Sequence, residues 1–167
     1  DFTATSRLLT RAADVPDYTW FWWKLRPHPR LGTVEVRALD VQSSLLDTAA
    51  LVALVHCLAR HAAEAPPEPD TPAEVLEEGV FRAARFGVQA RLPDAQGSLR
   101  PVQELLDAAL QCAHRYAREL DCADELARLP QLLARGGGAG RQRAAYEIAG
   151  MDGLLRELTK LTSAGCG

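Results

Sequence analysis

In the stretch GTVEVRALD, Gly32 to Asp40, charged and apolar residues alternate. Side chains two apart share a face of a β-strand, so Glu35 and Arg37 point one way while Val34 and Val36 point the other. A carboxylate can hold a cation. A guanidinium presents a planar fork of donors that fits phosphate and carboxylate oxygens. The plainer reading is an internal ion pair on a solvated sheet face, and pattern alone does not separate the two. Arg26 and Arg30 lie just upstream in RPHPR. Downstream, FRAARFG, Phe81 to Gly87, sets Arg82 and Arg85 three apart, which is one face of a helix. Each of these arginines alone reads more simply as a solvated or weakly paired surface residue.

Other chemistries have little support. His56 and His61 are five apart and diverge on a helix, while His28 and His114 lie in separate segments. A zinc site is therefore not expected. RGGGAGR, Arg135 to Arg141, lacks the Gly-Lys-Ser/Thr ending of a P-loop and comes after no strand, so it reads as a linker or a helix cap. No Gly-x-Ser-x-Gly is present. Cys57, Cys112, Cys122 and Cys166 are scattered without a CxxC, which suits a reduced protein better than a disulfide framework.

The elements that must position these residues can be read from pattern. Tyr18–Leu25 (YTWFWWKL) is aromatic and β-propense, and Arg26–Gly32 holds two prolines and a glycine. The expectation is a β-hairpin: a first strand over 18–25, a turn over 26–32, then a second strand. Helices should occupy the rest of the chain. Ser44 with Asp47 begins one that runs to about Ala63, and Thr71-Pro72-Ala73-Glu74 begins another that stops at Gly87. Between them, Ala65–Asp70 is a proline-rich break. Pro93–Ser98 reads as a turn, and Pro101 opens a helix to about Glu119. Pro130 should split a helix over 123–134. Gly136–Gly140 reads as a flexible joint before two short helices, about 141–149 and 153–162. A lone two-stranded hairpin is marginal in water, and this one carries three tryptophans, so either the helices cover it completely or further strands belong beside it.

The bulk numbers set the class. The chain has 167 residues, 47% of them hydrophobic, which suits about one globular domain. Nineteen basic against 22 acidic residues, net −3, give no case for a nucleic-acid or membrane-surface partner. The longest apolar run, Ala49–Val55, falls well short of a membrane span.

KLRPHPRLGTVEVRALD, Lys24 to Asp40, resembles the signature of the ATP-dependent carboxylate–amine ligases of the type 2 glutamate–cysteine ligase family. FRAARFG resembles that family's later arginine motif, and GAGRQRAAYE, Gly138 to Glu147, a recurring stretch near its C-terminus. Lys24 departs from the acidic residue usual at its position.

The resemblance implies an α+β fold: the C-terminal part of a glutamine-synthetase-like catalytic domain, with an antiparallel hairpin followed by five or six helices. On this reading, residues 1–42 complete the catalytic sheet and 43–167 form the helical remainder. The N-terminal half of the enzyme would be absent and the fragment inactive. The implied activity joins the side-chain carboxyl of glutamate to an amine such as that of cysteine, through an acyl phosphate. ATP and Mg2+ would be required, in the cytoplasm, with small molecules as partners and a homo-oligomer left open. Glu35 would bind the metal, and Arg26 and Arg37 would be catalytic. Arg82 and Arg85 would bind substrate or nucleotide. The alternatives are a non-catalytic helical interaction module and an amidohydrolase or other ligase on the same scaffold.

Overall fold

The computed structural model describes residues 2–65 and 71–164. Most of the proline-rich break, Pro66–Asp70, lies outside the described residues, as does Cys166. The chain is α+β and divides into two compact units, Asp1–Val41 and Gln42–Gly167.

The first unit opens with a helix that the residue pattern does not announce, α1, Phe2–Ala12. The aromatic segment is not the expected strand. Asp17 caps a single 3-10 turn over Tyr18–Trp20, its side chain accepting from the Thr19 N–H at 2.8 Å and from the Thr19 hydroxyl. The chain then continues irregularly to Lys24. The hairpin sits closer to the turn than aromatic content suggests: β1 is Leu25–His28 and β2 is Thr33–Val36. Pro27 lies inside β1, opposite Val34. A strand with one partner tolerates proline because the missing N–H faces the unpaired edge. The loop closes through the Leu31 N–H to the His28 carbonyl at 3.0 Å, and Gly32 takes φ +64°. Rings pack edge-on in this unit, Phe2 on Tyr18 and on Trp23 and Tyr18 on His28.

The second unit is helical around one core. Helix α2, Leu45–Glu64, begins where expected, with Ser44 Oγ accepting from the Asp47 N–H at 3.4 Å. It is long and apolar enough to cross a membrane by composition, yet Ala50, Ala53 and Cys57 on one of its faces are buried among Leu110, Ala113, Leu126 and Leu129. Small residues there let neighbouring helices approach closely. Helix α3, Ala73–Phe86, takes Pro72 as its cap and stops at Gly87, φ +56°. The turn expected over Pro93–Ser98 is one residue shorter, since Pro93 ends a strand; it joins two short strands missed by the pattern, β3 Arg91–Pro93 and β4 Leu99–Pro101. Helix α4, Val102–Ala113, ends about one and a half turns early, and a run of turns carries Tyr116 and Ala117 into the core. Pro130 divides the next segment as expected, into α5, Ala123–Leu126, and α6, Leu129–Ala134.

The glycine run is not a flexible joint. Gly136, at φ +80°, precedes α7, Gly137–Ser163, whose first turn the glycines form. Ala149 and Gly150 break α7 in the middle, with Gly150 at φ 60°, ψ −157°. Arg141 and Leu161 nevertheless line one cavity. Twenty residues of straight helix would hold them about 30 Å apart, so the break folds the two arms of α7 back on each other. Thr162 Oγ1 donates to the Ser43 carbonyl at 3.4 Å, tying the returning arm to the start of α2.

Candidate active-site hairpin

The candidate site is assembled by the register of one hairpin. Arg26 in β1 stands directly opposite Glu35 in β2, and cross-strand neighbours on one face are in reach of each other. The Arg37 N–H donates to the Lys24 carbonyl at 2.8 Å, extending the pairing one step. Two residues along the same face, the Arg37 side chain reaches back to Glu35. The expected alternation therefore holds: Glu35 and Arg37 share a face.

Which face is covered comes out unlike the usual half-buried strand. Leu25 and Val34, on the valine side, are each 60% exposed. On the charged side Arg26 is covered, and backbone carbonyls do the covering. Arg26 Nη1 donates to the Thr19 carbonyl at 2.7 Å and to the Phe21 carbonyl at 3.2 Å. Its Nη2 donates to Glu35 Oε2 at 2.5 Å. The Arg26 side chain is 9% exposed, and its Nε is buried without a hydrogen-bond partner. Arginine suits the position because one planar group can satisfy two carbonyls and a carboxylate together.

Glu35 and Arg37 are more accessible, their side chains 38% and 34% exposed. Arg37 Nη1 donates to Glu35 Oε1 at 2.7 Å, and its guanidinium lies 5.4 Å over the ring of Trp22. Partial burial pushes the Glu35 carboxyl upward, but hydrogen bonds and charge from Arg26 and Arg37 outweigh it and hold the group below the usual carboxylate range. Glu35 is thus an anion clamped between two cations, one fixed and one at the surface.

As a metal ligand, Glu35 fits in part. Magnesium takes one or two carboxylates together with substrate phosphates and water. Glu35 can contribute Oε1 once Arg37 turns aside, while Arg26 keeps Oε2. No group of three or more His, Cys, Asp or Glu side chains suited to a metal occurs among the described residues. The other ligands would have to come from phosphate, water or residues outside this group.

Arg82 and Arg85 belong to the second unit. Arg82 Nε bonds Glu78 at 2.7 Å, one turn earlier in α3. Arg85 is exposed, with its guanidinium 5.5 Å over the Phe86 ring. A cavity of about 550 Å³ in the first unit, between α1 and the Asp17 turn, contains none of the residues singled out by the sequence.

A family model for glutamate–cysteine ligase family 2 matches residues 5–160. The chain belongs to this family. It is 42% identical over 163 residues to a Rubrobacter xylanophilus protein named "Putative glutamate–cysteine ligase 2-3", covering 95% of this chain and 42% of that protein. A second protein of that organism, named as the 2-1 form, is 35% identical over 152 residues, 89% of this chain and 40% of its own length. A Mycobacterium sp. (strain KMS) protein also named as a 2-1 form is 39% identical over 147 residues, 81% of this chain and 39% of its own. The chain thus spans about two fifths of the length of these curated relatives.

Proposed function

We propose that this segment supplies part of the active site of an ATP- and magnesium-dependent ligase that joins the side-chain carboxyl of glutamate to an amine such as that of cysteine. The observation that carries the reading is the Arg26–Glu35–Arg37 cluster in a chain of this family. The reaction runs in two steps. A glutamate side-chain oxygen attacks the γ-phosphorus of ATP, the bond to ADP breaks, and an acyl phosphate forms. The amine nitrogen then attacks the acyl carbon. Phosphate leaves with that carboxylate oxygen, and the nitrogen gives up a proton.

Arg26, with its donors on Thr19, Phe21 and Glu35, positions the carboxylate and sets the shape of the cluster. Arg37 has a partner it can exchange, so it is the group to meet a phosphoryl or carboxylate oxygen as charge moves there. Glu35 would hold the magnesium ion, which when bound neutralises charge on the phosphate oxygens. Arg85, exposed, and Arg82, if freed from Glu78, would serve substrate or nucleotide. The open Leu25–Val34 face suits further strands packed on this hairpin in the intact enzyme, so the segment alone would be inactive. A cytoplasmic setting is part of this proposal.

The test uses a polypeptide of the relatives' full length that carries this segment. Glutamate labelled with oxygen-18 in its side-chain carboxyl, incubated with ATP and cysteine, should release phosphate bearing one labelled oxygen. Unlabelled phosphate, or AMP and pyrophosphate as products, would overturn the acyl-phosphate route.

A further inference from the structure

A second basic cluster lies wholly within the helical unit. A cavity of about 230 Å³ opens at the N-terminus of α2, lined by Ser44, Asp47, Arg128, Gln131, Arg135 and Arg141 among others. The Asp47 side chain is 10% exposed and accepts from Arg135 Nη2 at 3.2 Å and from Arg141 Nη2 at 3.5 Å. The Arg128 side chain makes no hydrogen bond or ion pair among the described residues. A purely structural strut would balance its charges. Here three arginines and one carboxylate line the cavity, so its lining carries two more positive than negative charges. Asp47 occupies one nitrogen on each of two arginines, and Arg135 Nε donates to the Gln131 carbonyl at 3.2 Å, so three donors of Arg135 and four of Arg141 remain available. The first N–H groups of the 20-residue α2 have no acceptor within the helix and favour an anion at the same place.

We propose that this cavity is a binding site for a dianionic phosphoryl group. Size and charge select the ligand. At about 230 Å³ the cavity lies below the roughly 300–1,000 Å³ of pockets for drug-sized molecules, which favours a small group. A tetrahedral phosphate is such a group, and its two charges match the excess that a monocarboxylate would half fill. The glycine run has a use here. Arg135 and Arg141 flank it, and the tight turn through Gly136 and Gly137 at the start of α7 brings both arginines onto Asp47. The break at Ala149–Gly150 then returns the far arm of α7 to close the cavity with Leu161. The inference does not depend on the ligase reading, because its test reads binding and not turnover.

The experiment is a calorimetric titration of the 167-residue chain with inorganic phosphate, at constant ionic strength set by chloride. Glycerol phosphate forms a second arm, to tell free phosphate from a monoester as the source. Saturable binding of one phosphoryl group per chain is expected. Arg128→Gln should weaken it about tenfold, the loss of one charge-assisted contact. Because the Arg128 side chain makes no hydrogen bond or ion pair among the described residues, the variant should fold, with circular dichroism as the check. Asp47→Asn should bind phosphate more tightly, since a competing carboxylate is gone, whereas a structural strut would show no such gain. Arg115→Gln, at an exposed arginine outside the cavity, should bind as the parent does. No saturable binding, binding unchanged in Arg128→Gln, or binding lost in Arg115→Gln and kept in Arg128→Gln would overturn the proposal.

Discussion

Replacing Arg26 with methionine keeps a long apolar stem and removes the guanidinium. The Thr19 and Phe21 carbonyls then lose their donor. Hydrogen bonds from charged groups contribute about 1.5–3 kcal/mol each, so the two carbonyl bonds set a gross loss of roughly 3–6 kcal/mol. Two effects reduce it. The buried, unpartnered Arg26 Nε disappears as well, offsetting about 1–3 kcal/mol, and both carbonyls belong to half-buried residues that water can reach. A net loss of about 2–3 kcal/mol should remain. The three tryptophans, Trp20, Trp22 and Trp23, all lie in the first unit, while most helix lies in the second. Tryptophan fluorescence in urea therefore reports the hairpin unit, and circular dichroism reports mainly the helical one. With a slope of about 1 kcal/mol/M for so small a unit, the fluorescence midpoint should fall by roughly 2 M or vanish into an already open state, while the helical transition stays in place. A fluorescence shift under about 0.5 M, or an equal shift in both signals, would refute this account of Arg26.

Gly150 at φ 60°, ψ −157° occupies a region open essentially to glycine alone, and no atom lies within 4 Å of where its Cβ would be. Gly150→Ala should therefore cost about 1–3 kcal/mol from backbone strain alone, read as a lower urea midpoint by circular dichroism. Its phosphate affinity should fall too. Burial, reinforced by Cys122 with its sulfur 3.6 Å away, pushes the Cys57 thiol up to about 11. The unfolded thiol loses its proton near 9, so between about pH 9 and 11 the unfolded state binds fewer protons and stability falls as pH rises. That fall should be shallower in Cys57→Ala. At about pH 8 the native Cys57 should resist alkylation that proceeds freely in urea.

Much of the helical unit was legible because local signals there have local causes. Ser44 caps the helix after it, Gly87 stops α3, and Pro130 removes a donor and divides a helix wherever it sits. The hairpin unit was harder. Aromatic residues favour strands only where a sheet offers them neighbours, and Tyr18–Trp23 folds instead over the charged face of the hairpin. Pro27 suggested a turn because proline breaks a ladder, but in a two-stranded sheet it can face the empty edge. Alternation placed Glu35 and Arg37 on one face correctly, since that depends on the strand alone. It could not show that Arg26 stands across from Glu35, because cross-strand register depends on where the turn begins. The arginine pair across Asp47 was invisible for a similar reason: Asp47 is 88 residues from Arg135 in sequence.

The ligase reading rests on Glu35 and Arg37, and steady-state kinetics with glutamate, cysteine and ATP on a polypeptide of the relatives' full length tests it most directly. Glu35→Gln keeps the size of the side chain and removes its charge; ligation should be abolished while circular dichroism and the fluorescence transition show a folded protein. Arg37→Lys keeps the charge and loses the planar fork, and should lower kcat about 100-fold or more with a smaller change in KM. Near-normal turnover in both folded variants would contradict the account and leave the Arg26–Glu35–Arg37 cluster as a structural clamp.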